Sequence, residues 1–269
     1  MISLHLKDRL ITSSRPAFVM GIVNATPDSF FEKSRGSLEL AKKLIDDGAD
    51  ILDIGGESTR PGFTQVSAKE QIERILPLVK QIRSFSDIPI SIDTRSREVI
   101  KAAVDSGADI LNDVSSLEND PDIADFAAQA KIPVILMHGF MKNEENRQSD
   151  PDVIKNVRNY LLERADYALS KGIDKNKIIL DPGIGFGKTS DENLALIKNI
   201  QALCGDGYPL LMALSRKRVI GGMTGRTVED RLIGTVTANL YSVMQGAKII
   251  RVHDVKESID SLNVMKYLF

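Results

Sequence analysis

Apolar runs and amphipathic stretches alternate along most of the chain. Eight short runs rich in Ile, Leu and Val are each followed by a polar loop, and then by a segment whose apolar residues recur every three or four positions. This alternation predicts eight buried parallel strands, each followed by a helix that crosses over to the next strand. The predicted strands are Phe18–Ala25, Ile51–Glu57, Pro89–Thr94, Ile110–Ser116, Pro133–Gly139, Ile178–Gly183, Pro209–Ser215 and Ile249–Val255.

The helical segments complete a repeating unit. The predicted helices run from Leu38 to a stop at Gly48, over Ala68–Phe85, from Ser96 to Gly107, over Asp122–Lys131, Val153–Lys171, Asp191–Leu203 and Val228–Gln245, and from Ser258 to the end. Eight units of about 30 residues fit an α/β fold of the (β/α)₈ TIM barrel type. An open doubly wound sheet is the alternative, because the fourth and fifth helices are weakly marked.

The first residues follow a different pattern. Residues 3–12 alternate weakly around Lys7 and Asp8, which predicts a short hairpin. We therefore expect an N-terminal hairpin over residues 1–15 and one barrel domain over residues 16–269.

The amino-acid composition limits the classes of molecule that the protein is expected to bind. The chain has 269 residues, of which 42% are apolar and 27% charged, and its net charge of −2 comes from interspersed acids and bases. These values predict a globular enzyme or binding protein with small-molecule partners, and no nucleic acid or membrane partner. The single Cys204 and the lack of a leader-like segment predict a cytoplasmic location.

Polar residues lie at or just beyond the carboxyl ends of seven predicted strands. They are Asn24, Asp93, Asn112, His138, Asp181, Lys217, and the pair Arg251 and His253. The carboxyl ends of barrel strands form one mouth, where active sites are built. We therefore expect these side chains to converge, with Asp53 as a deeper candidate.

One group of these residues suits an anion. The first and eighth strands are neighbours in a closed barrel, so Arg251 and His253 are expected on one strand face beside Asn24. Arg60 could add a bidentate contact to the anion. The amide oxygen of Asn24 suits a Mg²⁺ ion that keeps most of its waters. Alternatively, Arg251 pairs with Asp254 or a neighbouring acid, and His253 is an ordinary core residue.

A second group suits a flat heterocycle. Asp93, Asn112, Asp181 and Lys217 offer two carboxylates, an amide and an ammonium, which match ring N–H donors and ring acceptors. Two facing acids also occur in glycosidases, but sugar sites usually add aromatic platforms and the chain has no Trp. A structural alternative pairs Asp93 with Arg95, and Asp181 with Lys188.

A glycine-rich loop follows the sixth strand, within the stretch IILDPGIGFGK at Ile178–Lys188. The strand brings Asp181 to its end, and the glycines at positions 183, 185 and 187 allow close backbone approach. The stretch is not a Walker A loop, because Pro182 stands where glycine is needed. We therefore expect a binding loop of another kind, although Asp181 could simply cap the turn.

Six motifs carry a resemblance to a known family. They are GIVNATPDSF at Gly21–Phe30, GGESTRPG at Gly55–Gly62, SIDT at Ser91–Thr94, the glycine-rich stretch, LSRK at Leu214–Lys217 and RVHDV at Arg251–Val255. In order and spacing, from about residue 16 onwards, the chain closely resembles the dihydropteroate synthases of the pterin-binding enzyme superfamily. The resemblance implies a transferase of folate biosynthesis, which condenses 6-hydroxymethyl-7,8-dihydropterin diphosphate with p-aminobenzoate and releases diphosphate.

The resemblance also implies roles for individual residues. It implies pterin contacts from Asp93, Asn112, Asp181, Lys217 and Arg251, with Asp93, Asp181 and Lys217 as the catalytic set. It implies diphosphate contacts from Asn24, Arg60, Arg251 and His253, with Asn24 also on Mg²⁺. It implies p-aminobenzoate contacts from Thr59, Pro61, Phe186, Lys217 and Arg218, mobile loops at Thr26–Gly36 and around Thr59–Pro61, and a homodimer formed through late helices such as Val228–Gln245.

Several positions depart from the family pattern. Arg218 stands where the family usually has Ser, Ala213 replaces a common Gly, Gly139 follows His138, and the first loop is altered after Phe30. These departures concern the p-aminobenzoate side of the expected site. They leave two alternatives open: a pterin-binding paralogue that does not condense p-aminobenzoate, and a folate-dependent methyltransferase of the same superfamily.

Overall fold

Eight parallel strands form a barrel in the computed structural model, which describes residues 1–25, 33–57, 66–139 and 149–268. A two-stranded antiparallel sheet of β1 (Ile2–His5) and β2 (Leu10–Ser13) precedes it. The barrel strands are β3 (Phe18–Asn24), β4 (Ile51–Gly55), β5 (Ile90–Asp93), β6 (Ile110–Asp113), β7 (Val134–Met137), β8 (Ile178–Asp181), β9 (Leu211–Met212) and β10 (Ile249–Val252).

The strand order closes on itself. Neighbours follow β8-β7-β6-β5-β4-β3-β10-β9, and a parallel bridge between Leu180 and Leu210 joins β8 to the β9 side. The predicted TIM barrel and hairpin are therefore confirmed, and the open doubly wound sheet is excluded.

Helices cover the outside of the barrel. They are α1 (Lys33–Asp46), α2 (Ala68–Arg83), α3 (Arg97–Asp105), α4 (Ile123–Ala130), α5 (Val153–Ser170), α6 (Ser190–Lys198), α7 (Ile200–Leu203), α8 (Arg218–Thr224), α9 (Leu232–Met244) and α10 (Val255–Leu268). Among the described residues, no helix has the length and apolar character needed to span a membrane.

The predicted boundaries fail mainly around β9. This strand has two residues rather than the predicted Pro209–Ser215, and Arg216 then adopts left-handed backbone with φ of 56°. Helix α8 lies after Lys217, where no helix was predicted, and the left-handed Gly225 caps its carboxyl end. A 3₁₀ turn replaces the first residues of the predicted Val228–Gln245 helix, and Asn199 divides the predicted Asp191–Leu203 helix into two.

The core has two layers. Apolar side chains between strands and helices form the outer layer, including those of Ile54, Ile75 and Ile92. The inner layer fills the barrel, and Leu4 and Leu6 of the hairpin join it near the amino-terminal strand residues Phe18 and Ile249. The hairpin therefore packs against the amino-terminal end, and the carboxyl end is left for polar side chains.

Candidate active site

The strand register brings the predicted acids and amides to one end of the barrel. Asp93 ends β5 directly opposite Gly55 of β4 and Asn112 of β6. Asp181 ends β8 opposite Met137 of β7. Asp93, Asn112 and Asp181 are all buried at this rim, as the convergence of strand ends predicted.

Asp93 carries an unused acceptor. Its Oδ2 accepts a hydrogen bond from Arg251 Nη2 at 3.1 Å, but its buried Oδ1 has no partner among the described residues. Burial raises the pKa of this carboxyl to about 7, against the lowering effect of Arg251. A buried acceptor of this kind is suited to a ligand N–H group.

Asp53 is hydrogen-bonded to two other residues of the site. Its Oδ2 accepts from Arg251 Nε at 2.6 Å, and Asn112 Nδ2 lies 3.3 and 3.2 Å from its two oxygens. The sequence marks Asp53 only as a deeper candidate, and the family resemblance gives it no role. The available signal was a charged residue in the middle of the buried strand ILDIG.

The glycine-rich loop folds back over the end of β8. Gly183 donates its N–H to Asp181 Oδ1 at 2.7 Å, and a Cβ at Gly183 would lie 1.7 Å from the His138 carbonyl oxygen. Its φ of 65° also favours glycine. Lys188 donates to the carbonyl oxygens of His138 and Phe186 at 3.0 and 3.1 Å, which holds the loop closed.

Lys217 reaches this loop from the turn after β9. Its ammonium donates to the Ile184 carbonyl oxygen and lies 4.9 Å from the centre of the Phe186 ring. Burial lowers the pKa of Lys217 to about 8, with Asp181 acting in the opposite direction. Burial also raises the pKa of Asp181, with Lys217 as the main opposing charge. The positive charge of Lys217 and the negative charge of Asp181 therefore stabilise each other.

The turn that carries Lys217 is anchored through Arg216. The Arg216 N–H donates to Thr235 Oγ1 at 3.1 Å, and its carbonyl oxygen accepts from Arg231 Nη1 at 3.0 Å. Its guanidinium pairs with Asp254, with Nε 3.0 Å from Oδ2. These contacts from α9 and the β10–α10 turn hold a non-glycine residue in left-handed backbone.

The residues of the expected anion group lie at different heights along the barrel. Strand β10 ends at Val252, so His253 lies in the following turn, where Nδ1 is 2.9 Å from Ser215 Oγ. Arg251 lies opposite Met20, four residues before the exposed Asn24, and reaches across to Asp53 and Asp93. Because the Arg251 guanidinium pairs with buried acids inside the barrel, the common face expected for Arg251, His253 and Asn24 stays a prediction.

One structural alternative is confirmed in its broader form, because Arg251 pairs with the neighbouring acids Asp53 and Asp93, whereas the proposed pair of Asp93 with Arg95 is wrong. Asp254 pairs with Arg216 and not with Arg251. Arg95 pairs with Glu57 at 2.9 Å, which leaves Asp93 to Arg251. Glu57 also accepts the Val66 N–H at 2.8 Å, so one carboxylate joins the two ends of the segment 58–65.

Several predicted contacts fall on residues that the structure does not describe. Thr59, Arg60 and Pro61 lie outside the described residues, as do residues 26–32 of the predicted first loop. The remainder of that loop, from Lys33 to Gly36, is helical in α1. Arg218 is exposed as the first residue of α8, and Phe186 is half-buried beside Lys217.

Known proteins share this arrangement of strands and motifs. The family model described as pterin binding enzyme matches residues 20–253. Dihydropteroate synthase of Bacillus subtilis (strain 168) is 40% identical over 259 residues, which are 94% of this chain and 89% of that protein.

Solved structures agree with the sequence comparison. Xanthomonas albilineans dihydropteroate synthase with 4-aminobenzoic acid superposes with a TM-score of 0.91 at 40% identity, covering 99% of this chain and 97% of that one. The same enzyme in complex with 7,8-dihydropteroate gives a TM-score of 0.89 at 38% identity, covering 99% and 98%. The chain therefore belongs to the pterin-binding enzyme family and, within it, to the dihydropteroate synthases.

Proposed function

We propose that this chain condenses 6-hydroxymethyl-7,8-dihydropterin diphosphate with p-aminobenzoate, giving 7,8-dihydropteroate and diphosphate. The observation that carries the proposal is the buried Oδ1 of Asp93, an acceptor with no partner among the described residues. It lies in a set with Asn112, Asp181 and Lys217, which offers the acceptors and donors that a pterin ring requires. The relatives solved with 4-aminobenzoic acid and with 7,8-dihydropteroate support both substrates.

The side chains suit a substitution in which the leaving group departs first. Asp93 and Asp181 would accept ring N–H groups, and their negative charge would stabilise the cation that forms on the pterin methylene. Lys217 would donate to a ring acceptor, and the terminal nitrogens of Arg251 would offset the charge of the diphosphate. The weakly basic arylamine then attacks the methylene, so no protein nucleophile is required.

We propose Mg²⁺ as the cofactor, held by Asn24. Within the described ranges, no group of three or more His, Cys, Asp or Glu side chains could hold a metal ion. An exposed amide oxygen at the end of β3 suits an ion that keeps most of its waters and takes its other ligands from a diphosphate. When bound, Mg²⁺ would neutralise charge on the departing diphosphate.

We place His253 and Arg60 with the diphosphate, and Thr59, Pro61, Phe186 and Arg218 near p-aminobenzoate, as the family motifs imply. For Phe186 the support is its contact with Lys217. For the residues outside the described ranges, the support is the motif alone.

We propose that the chain forms a homodimer through α9 and acts in the cytoplasm. Ile233, Tyr241 and Met244 are exposed on α9 at spacings that place them on one helix face. A second copy that packs on this face would bury it, as apolar interface cores do. The single cysteine supports a reducing compartment.

Diphosphate release tests the proposed reaction. The purified chain is incubated with the pterin diphosphate and Mg²⁺, with or without p-aminobenzoate, and 7,8-dihydropteroate is measured alongside diphosphate. We expect both products only with p-aminobenzoate, loss of both with a chelator, and recovery when Mg²⁺ is added back. Pterin binding without condensation would favour the non-condensing paralogue and reject the proposal, and chelator-insensitive turnover would reject the metal.

A further inference from the structure

Asp53 is a buried carboxylate without a role in the proposed reaction. It is fully buried in the middle of β4. The register places Gly55 opposite Asp93 and Asp53 opposite Ser91, so Asp53 lies two residues deeper than the rim. A carboxylate at this depth is costly unless its partners compensate for lost solvation.

The partners of Asp53 come from both sides of β4. Arg251 belongs to β10 and Asn112 to β6, and each of these strands is two places from β4 in the barrel. Arg251 contributes the bond from Nε at 2.6 Å, and Asn112 contributes its amino group at 3.3 and 3.2 Å from the two carboxylate oxygens. Asp53 thus joins two residues for which the family resemblance implies pterin contacts.

The contact with Asn112 fixes the direction of an amide. A carboxylate paired with arginine only accepts hydrogen bonds, so the Asn112 amino group must face Asp53. Rotating the amide by half a turn would place its oxygen against two carboxylate oxygens. Asp53 therefore decides which side of Asn112 is available as an acceptor for the ring.

The contact with Arg251 fixes the guanidinium in the same way. Because Nε is committed to Asp53, the planar group is oriented with Nη2 on Asp93 at 3.1 Å. Without Asp53, the Arg251 guanidinium could rotate and form a bidentate ion pair with the Asp93 carboxylate. That pair would compete with the ring for the free Oδ1 of Asp93.

We propose that Asp53 is a positioning residue for the pterin, which orients Asn112 and Arg251 without touching the substrate. The proposal rests on the proposed function, since the ring is the ligand that these residues would face. It predicts that loss of Asp53 weakens pterin binding much more than p-aminobenzoate binding.

The test is the variant Asp53→Asn, with Asp50→Asn as its matched control. Asp50 precedes the same strand at the other end of the barrel, where it accepts from Arg15 Nη2 at 2.5 Å and from the Val19 N–H at 2.8 Å. Both substitutions therefore neutralise an arginine-paired carboxylate. A purely structural role would lower the unfolding temperature in both variants and leave ligand affinity unchanged in both.

Binding is measured by calorimetry with 6-hydroxymethyl-7,8-dihydropterin diphosphate and Mg²⁺, without p-aminobenzoate. We expect Asp53→Asn to raise the Kd about 10- to 100-fold, with the KM for p-aminobenzoate within about twofold of wild type. Asp50→Asn should bind like wild type. Equal affinity of Asp53→Asn and wild type would overturn the proposal.

A double-mutant cycle tests whether Asp53 acts through Asn112. In an Asn112→Ala background, Asp53→Asn should weaken binding by a clearly smaller factor than in wild type. The same factor in both backgrounds would contradict action through Asn112.

A measurement on the wild type covers the case in which Asp53→Asn does not fold. The Arg251 Nε–H should exchange slowly with solvent in the ligand-free enzyme, and fast exchange would overturn the proposal. The binding and turnover measurements on the wild-type enzyme distinguish the two proposals. Pterin binding without condensation would reject only the proposed reaction, whereas a lack of pterin binding would reject both proposals.

Discussion

Replacing Asp93 with Asn should abolish most activity and also stabilise the fold at alkaline pH. The pKa of this buried carboxyl is raised from 3.8 to about 7, mainly by burial. At about 1.4 kcal/mol per pKa unit, ionised Asp93 destabilises the folded state by up to about 4 kcal/mol. Asparagine resembles the neutral acid and avoids this cost, while Arg251 keeps its contact with Asp53.

The sign of this effect depends on pH. Above pH 7 the carboxyl is ionised in both folded and unfolded wild type, so the variant has its full advantage. As the pH falls from 7 towards 4, the folded wild type holds a proton that the unfolded chain does not, and the wild type gains stability. The advantage of Asp93→Asn should therefore shrink to about 2 kcal/mol at pH 5 and vanish below about pH 4.

Chemical denaturation at pH 8 and pH 5 measures the difference, and diphosphate release at pH 8 measures activity. We expect a gain of about 1 to 4 kcal/mol in the free energy of unfolding at pH 8, with kcat/KM for the pterin lower by about 100-fold. Asp50→Asn is the control, and should lose stability because its hydrogen bonds are weakened. A variant less stable than wild type at pH 8 would refute the burial argument, and wild-type turnover would refute the pterin role of Asp93.

Three further predictions concern the rim and the outer surface. Arg218→Ser should leave the KM for p-aminobenzoate within about twofold, because Arg218 is exposed; a large increase would establish a direct salt bridge with the substrate carboxylate. Pterin binding by the wild type should weaken as the pH rises through about 8, where Lys217 loses its proton, and Lys217→Arg should remove that alkaline limb; an unchanged limb in this variant would assign it to another group. Ile233→Lys should convert a dimer into a monomer in sedimentation experiments, because this side chain is exposed on the proposed interface, and a monomeric wild type would reject the dimer.

Strand positions and rim residues were predictable because both depend on local sequence. The apolar run that ends in IILD predicts β8, and because Asp181 ends this strand, it is placed at the mouth of the barrel. The same reasoning placed Asp93 and Asn112 at the same mouth, and the register of β5 and β6 then sets them side by side.

Contacts across the barrel were not predictable, because they depend on side-chain reach and not on register. Arg251 passes over β3 to pair with Asp53, and no spacing in the sequence marks that pair. The sequence likewise gives no sign of the hydrogen bond from the Val66 N–H to Glu57, or of the ion pair between Glu57 and Arg95. Short-range strain was missed too, since an arginine at position 216 gives no sign of left-handed backbone.

The hairpin packed beneath the barrel has a kinetic consequence. Leu4 and Leu6 join the apolar side chains that fill the amino-terminal end of the barrel, so a ligand approaches the buried acids from the carboxyl end. Asp53 and Arg251 lie within strands, whereas Phe186 and Lys217 meet in the loops beyond the strand ends. We therefore expect the ring to bind before the arylamine, so an excess of arylamine added ahead of the pterin should delay the first turnover.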